Sequence, residues 1–451
     1  MSKSDGNNSS PVSTSFEYND YLLTAIAKLK DRPVCNTSSA DVQALMQLTV
    51  DNLPEEGLGE EQSLELLAPL VLGQAAYLDE SCALAHMDPP TPWITWVTQA
   101  WNARLNQNLL HPATSPFAKE AEKYVVDWLS PFFGMDGGHM CSGSTVANLS
   151  ALWAARNLKG VSSVIASNAA HISIKKAANI LGLDFIALAC NEKGEVDLAH
   201  LPHADILAKS CLVLTAGTTS AGAIDPLPNN KVDAHNTLFD SIKWLHVDAA
   251  WAGPLLLSKK YKHLLSGIEH ADSVAVSAHK WLYQPKDSAL IFFKDTASAN
   301  PAISEGSSYL STPNVGVQGS RSAAAVSLLA TLLAWGQKGL STHIESNMNM
   351  AEHLANYIKN HSPITCSTGD EVSFELFTQP VSAVSLFRPT KTNMTSTEQN
   401  QLCKRFVSSL PSGVFSTCEL NEQIWVRSVA ANPKAKVNKI IALLDETLQK
   451  L

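Results

Sequence analysis

Long apolar runs are missing from this sequence. No window approaches the ~18 uninterrupted apolar residues of a membrane-spanning helix. The amino terminus, MSKSDGNNSSPVSTS, has no apolar stretch of the signal-peptide kind and reads as a disordered tail over residues 1–15. Positive charge is not in excess either: 33 Lys and Arg face 42 Asp and Glu, a net charge of −9. That balance offers no global field for nucleic acid or an anionic membrane. Cysteine is sparse, with eight in 451 residues and none in CxxC or another metal-like spacing. The cysteines therefore read as reduced core residues, with neither a disulfide framework nor a metal centre implied. These absences lead to the expectation of a cytoplasmic protein that acts on a small molecule.

What is present is a chain long enough for two or three domains, 45% of it apolar. After the tail, YNDYLLTAIAKLK, SSADVQALMQLTVDNL and SLELLAPLVLGQAAYL carry apolar residues at helical spacing. They predict a helical amino-terminal segment over 16–105 whose apolar stripes suit packing against a second subunit. From 106 to 345 short apolar strands alternate with helical stretches: SSVIAS, FIALAC, CLVLTAG, WLHVDAA, SVAVSA and ALIFF. Unbroken apolar strands of this kind predict a mostly parallel sheet flanked by helices, an α/β fold. Residues 346–451, with a long helix and then mixed strands and helices, predict a small α+β domain.

Open α/β sheets bind ligands beyond the carboxyl ends of their strands, and several strands here end in chemically able residues. CSGSTVANLSAL is a small-residue turn entering a helix, where Ser144 and Thr145 are placed either to face an anion or to cap the helix. Asp248 ends the strand in WLHVDAAWAG, and a buried carboxylate there needs a cationic partner. Alone it is equally a helix cap or a metal ligand. Ala249 and Ala250 leave room for a flat group against the backbone. His171 opens the helix in SNAAHISIKKAA, where a lone His is more often structural. Lys280, in SVAVSAHKWLYQP, ends another apolar strand, an expensive place for an ammonium. A phosphate-binding turn, a buried Asp and a buried Lys at strand ends have one economical explanation, pyridoxal 5'-phosphate covalently held by Lys280.

The same segments, in order, resemble the group II pyridoxal-phosphate-dependent amino-acid decarboxylases, the family of aromatic-amino-acid, glutamate, histidine and 2,4-diaminobutyrate decarboxylases. The likeness runs from about residue 80 to about 432 through AHMDPPTPWITWVTQAWNARLNQNLLHPATSP, AEKYVVDWLSPFFG, CSGSTVANLSAL, AHISIKKAANILG, TAGTTSAGAIDPL, HVDAAWAG, SAHKWL and GSRSAAAVSLLATLLAWG. HVDAAWAG and SAHKWL are specific as a pair; GSTVAN alone is not.

The resemblance implies an aspartate-aminotransferase-like fold (fold type I), a homodimer and a role for each matched position. Lys280 matches the internal-aldimine lysine and His279 its neighbour. Asp248 matches the carboxylate on the pyridine nitrogen, whose partner ring stabilises a quinonoid. Ala250 and His171 match the residues on the two ring faces. Ser144, Thr145 and Ser277 match phosphate-side positions, Thr219 a cofactor contact, and Arg427 the arginine near the substrate carboxylate. Arg321, in QGSRS, matches a family position read here as structural. Tyr309, in EGSSYLSTP, is the candidate proton donor on a loop that favours decarboxylation over aldehyde formation. Two departures stand out: Val146 replaces a common glutamate, and the Tyr309 loop is short. Asp88, in AHMDPPT, is a candidate partner for a basic substrate or simply a turn residue before Pro89. Pro90 and Thr91 resemble the diaminobutyrate pattern, which ranks basic or small aliphatic substrates above aromatic ones. The alternatives are an aminotransferase, desulfurase or aldehyde synthase of the same fold, or a non-catalytic relative.

Overall fold

Strands that read as unbroken apolar runs need cover on both faces, and this chain supplies it. The computed structural model describes residues 20–30, 57–228, 239–306, 308, 310 and 313–451. The expected helix within SSADVQALMQLTVDNL lies outside the described residues, as does Tyr309. Residues 1–77 and 78–451 form two separate units. In the first, the described helices are Tyr21–Ala27 and Glu60–Val71.

The second unit holds a seven-stranded sheet of β1 (Gly137–Cys141), β2 (Ser163–Ser167), β3 (Asp184–Leu188), β4 (Ser210–Thr215), β5 (Trp244–Asp248), β6 (Ser273–Ser277) and β7 (Ala289–Phe293). Their spatial order is β1-β7-β6-β5-β4-β2-β3. All neighbours run parallel except β7, which is antiparallel to both β6 and β1. Strands β1, β2, β4, β5 and β6 therefore all end at the same edge.

Alternation along the strands divides the core. Cys211, Val213, Ala275, Ile291 and Phe293 face a cluster with Ala147, Ala151, Leu152 and Ile174 from helices Ser144–Lys159 and Ile172–Leu181. Leu212, Leu214, Val274, Val276, Leu290 and Phe292 face the other cluster, with Val125 and Leu129 of helix Pro116–Leu129 and Leu328 of helix Ala324–Lys359. Every one of these strand residues is buried. Burying a side chain of this size stabilises by about 1.5–3 kcal/mol, so both faces contribute to the fold.

Beyond a short antiparallel pair, β8 (Ser304–Glu305) with β9 (Asn314–Val315), the chain enters helix Ala324–Lys359. Gly336, with φ 57° and ψ −175°, breaks this helix into two segments. A second sheet follows, antiparallel throughout: β10 (Ile364–Thr365), β11 (Glu371–Leu376), β12 (Val384–Lys391), β13 (Ser416–Leu420) and β14 (Gln423–Val429), in the order β10-β11-β12-β14-β13. Helices Ser396–Ser408 and Val437–Gln449 accompany it. Thr395 and Glu398 form a reciprocal capping box at the start of the first, which fixes where it begins. Phe374, Phe387 and Phe406 pack edge to face within the core cluster that also contains Leu212 and Val247 of the large sheet. Among the described residues no helix is long and apolar enough to cross a membrane.

Candidate active site

Because the parallel strands end together, Asp248, Ser277 and the turns after β1, β2 and β4 meet at one edge of the sheet. Asp248 closes β5 and is buried. Its Oδ2 accepts from Asn148 Nδ2 at 3.0 Å and its Oδ1 from the Ala250 amide at 3.1 Å. A carboxylate has room for about four such bonds, so this one retains capacity for a further charged donor. Ala250 is tied to the neighbouring strand end, its carbonyl accepting from the Ser277 amide at 3.3 Å.

Lys280 follows β6, and its side-chain amine makes no hydrogen bond or ion pair among the described residues. Burial, the largest influence, lowers its pKa; Asp248 and Asp88 pull it up, while Arg427 and Lys286 push it down. The result is an amine that loses its proton more readily than a surface lysine, which is what nucleophilic attack needs. Next to it, burial above all, then Lys286 and Lys280, hold His279 down at about 4. Its Nδ1 and the Ser277 hydroxyl are buried without a protein partner.

His171 caps helix Ile172–Leu181, its Nδ1 accepting from the Ser173 amide at 3.2 Å. Burial lowers its pKa, Asp248 opposes that, and Lys280 and Lys176 reinforce it, so the imidazole is neutral near pH 7 beside both groups. Ser144 begins helix Ser144–Lys159, which has no side-chain cap; the Val146 amide turns back to the Gly143 carbonyl at 3.0 Å, and the amides of Ser144 and Thr145 are open to an anion. Gly143 precedes it, and a Cβ there would sit 3.8 Å from the His279 ring. Ser144 is buried in this turn, whereas Thr145 is exposed.

The outer candidates sit differently. Arg427, on β14, is buried and donates to the carbonyls of Thr219 at 2.7 Å and Ala85 at 3.2 Å. Its guanidinium pins two segments and keeps part of its donor set for another acceptor. Thr219 itself is exposed and enters through that carbonyl. Asp88 pairs with Lys286, a partner not anticipated from the sequence. Arg321 makes a two-pronged pair with Glu122, in keeping with its structural reading.

Three other residues had been overlooked. Asn148 lies one helical turn after Ser144, on the same inward face, and His246 lies two residues before Asp248, hence on the same face of β5. Ser173 lies two residues after His171. Spacing alone carries the signal, beside Ser144, Asp248 and His171, the members those segments are read for.

This arrangement fits pyridoxal 5'-phosphate: a carboxylate open to a cationic ring nitrogen, an unpartnered amine, two orphan polar atoms and an uncapped helix start. Residues 46–377 match the family described as the pyridoxal-dependent decarboxylase conserved domain. The chain is 24% identical to an aromatic-L-amino-acid decarboxylase of Bacillus atrophaeus, over 94% of this chain and 92% of that one. It is 29% identical to an L-2,4-diaminobutyrate decarboxylase of Rhizobium meliloti, over 80% and 78% respectively. Among solved structures, Oryza sativa TDC with PLP and tryptamine superposes with a TM-score of 0.83 at 18% identity, covering 97% of this chain and 99% of that one.

Burial holds His246 at about 4, so between pH 6.5 and 4 the unfolded chain takes up a proton there that the folded one refuses. Stability from this group is therefore lost as pH falls through that window, at up to about 1.4 kcal/mol per pH unit. His246→Gln should flatten the pH dependence of urea unfolding by that amount; an unchanged slope would contradict the assignment.

Proposed function

The chain belongs to the pyridoxal-dependent decarboxylase family, and from that premise we propose that it removes CO2 from an L-amino acid to leave the amine, with Lys280 as the residue that carries the cofactor. When bound, pyridoxal 5'-phosphate supplies an aldehyde that captures a primary amine and a ring that takes up the electron pair left by departing CO2. The observation that best supports the Lys280 assignment is its amine, unpaired and made less basic by burial, beside the Asp248 carboxylate on the adjacent strand end. Asp248 keeps a proton on the ring nitrogen by charge-assisted hydrogen bonding. His171 and Ala250 bound the ring, and the open first turn at Ser144 and Thr145, with Ser277 and His279, holds the phosphate. Arg427 orients the substrate carboxylate, and Thr219, whose carbonyl it grips, contacts the cofactor. Tyr309 returns a proton to Cα.

We further propose that the protein works as a homodimer. Helix Trp93–Leu105 presents Trp93, Val97, Trp101 and Leu105 on one face, and Trp93 is 69% exposed. Helix Pro116–Leu129 adds Phe117, Tyr124 and Trp128, all exposed on one face. Exposed aromatic faces of this kind mark association surfaces, and a second copy is the partner the family resemblance implies.

Asp88 bears on the substrate. With Lys286 on its carboxylate, a basic substrate side chain gains Asp88 only by displacing that ammonium. A diamino acid is favoured where that exchange is easy and a neutral one where it is not.

Lys280→Ala should remove the visible absorbance of the bound cofactor and reduce CO2 release by at least about a thousandfold. A variant retaining both properties would sink the assignment, and a requirement for a keto acid would point to an aminotransferase. Asp88→Ala should lower kcat/KM for 2,4-diaminobutyrate about tenfold more than for a neutral amino acid, and Lys286→Ala should raise it. Parallel effects on both substrates would refute the pairing. By light scattering the protein should have twice the 48.5 kDa of one chain, and Trp93→Asp with Trp101→Asp should halve it; a monomeric wild type removes the dimer.

A further inference from the structure

A chain of buried hydrogen bonds runs behind Asp248, and its donors and acceptors favour one direction. The Trp244 indole, which can only donate, gives its Nε1–H to Ser273 Oγ at 2.9 Å. Ser273 Oγ lies 2.9 Å from His246 Nδ1. His246 Nε2 lies 3.0 Å from Asn148 Oδ1. Asn148 Nδ2 reaches both Asp248 Oδ2 at 3.0 Å and Ser173 Oγ at 2.9 Å. Ser173 Oγ lies 2.8 Å from His171 Nδ1. Trp244, Ser273, His246, Asn148, Ser173 and Asp248 are all buried, so no solvent relaxes the pattern.

One end is fixed by chemistry. The ionised carboxylate accepts only, which turns the Asn148 NH2 toward it and its Oδ1 toward His246. A neutral His246 must then carry its proton on Nε2 and accept the Ser273 hydrogen on Nδ1, while the indole occupies one Ser273 lone pair; Ser173 donates to His171, whose Nδ1 already accepts from the Ser173 amide. A second arrangement is within reach. The Ser273 carbonyl lies 3.2 Å from the same His246 Nδ1, so an imidazole protonated there has an acceptor. Its bare Nε2 would then face Asn148 and turn the amide, presenting Oδ1 to the Asp248 carboxylate, oxygen against oxygen.

We propose that Trp244, Ser273, His246 and Asn148 form a positioning relay in which the Ser273 hydroxyl, backed by the indole, holds His246 with its proton on Nε2, so that one amide holds the Asp248 carboxylate and donates to the Ser173 hydroxyl that meets His171. The inference rests on Asp248 being the partner of the cofactor's ring nitrogen. None of the four touches the reacting atoms; each acts through its neighbour. Ser173 and Ala250 hold their own bonds to His171 and Asp248 through backbone amides, so losing the relay weakens the site without dismantling it.

The test uses holoenzyme labelled with 15N-histidine and reads the His246 ring nitrogens by NMR, together with cofactor affinity. Wild type should show the proton on Nε2. In Ser273→Ala it should move to Nδ1 while cofactor affinity falls about tenfold, the scale of one mispaired buried polar group. Trp244→Phe, which keeps the ring and deletes the donor, should shift both readouts in the same sense. A proton still on Nε2 in both variants, or one that moves with affinity unchanged, overturns the relay. Asp248→Asn separates the two levels. If it weakens cofactor binding and Ser273→Ala does not, the relay fails and the reading of Asp248 stands; if Asp248→Asn leaves affinity unchanged, both fail.

Discussion

The site depends on keeping one carboxylate charged inside the core. Asp248 sits at the end of a strand buried on every side, where an ionised group survives only if donors replace the water it lost. Two neutral donors, from Asn148 and Ala250, meet part of that need and orient the oxygens. The rest is left for a cation, and the Lys280 amine, drawn upward by the same carboxylate and downward by burial, lies within its field. Carboxylate, amine and open helix start can be neighbours because strands running the same way deliver their ends to the same edge.

Burial on both faces makes this possible without loose loops. Each strand sends alternate side chains to two different cores, so the position of its last residue is fixed from above and below. The helix start at Ser144 is held by the inward face of the same helix, where Ala147, Ala151 and Leu152 pack on the sheet and Asn148 turns polar at the one place where a carboxylate waits. Structural packing and site geometry here are the work of the same residues, one turn apart.

Much of this was legible beforehand. The continuous runs of β2 and of β4 to β7 betrayed central strands, and HVDAAWAG with SAHKWL pointed to the pair at their ends. What escaped notice has physical reasons. Strand β1, GGHMC, carries two glycines and a histidine and lacks the apolar signature; a Cβ at Gly138 would lie 1.9 Å from the Ile291 carbonyl oxygen of β7, so close approach to its partner strand replaces an apolar side chain there. Strands β11 and β13 alternate buried with more exposed positions and read as polar segments. The long helix expected within residues 346–451 extends back to Ala324, across the break at Gly336. Asn148, Ser173 and His246 were invisible because a neutral polar residue announces its role only through the partner that three-dimensional proximity supplies. Lys286 was missed for the same reason: nothing in the sequence says that it meets Asp88.

The pairing of β1 with β7 also bears on how the molecule is made. Gly137 to Cys141 find their partners in Ala289 to Phe293, so the edge cannot close until nearly two thirds of the chain exists. On a ribosome, β2, β4, β5 and β6 have one another to pair with as they emerge, while β1, with the turn at Ser142 and Gly143 attached, waits unpaired. The turn after β1 is therefore among the first parts of this sheet to be synthesised and among the last to be fixed. A nascent chain that has released β6 but not yet β7 would hold the Lys280 strand in place while the helix start at Ser144 still lacks its anchored edge strand.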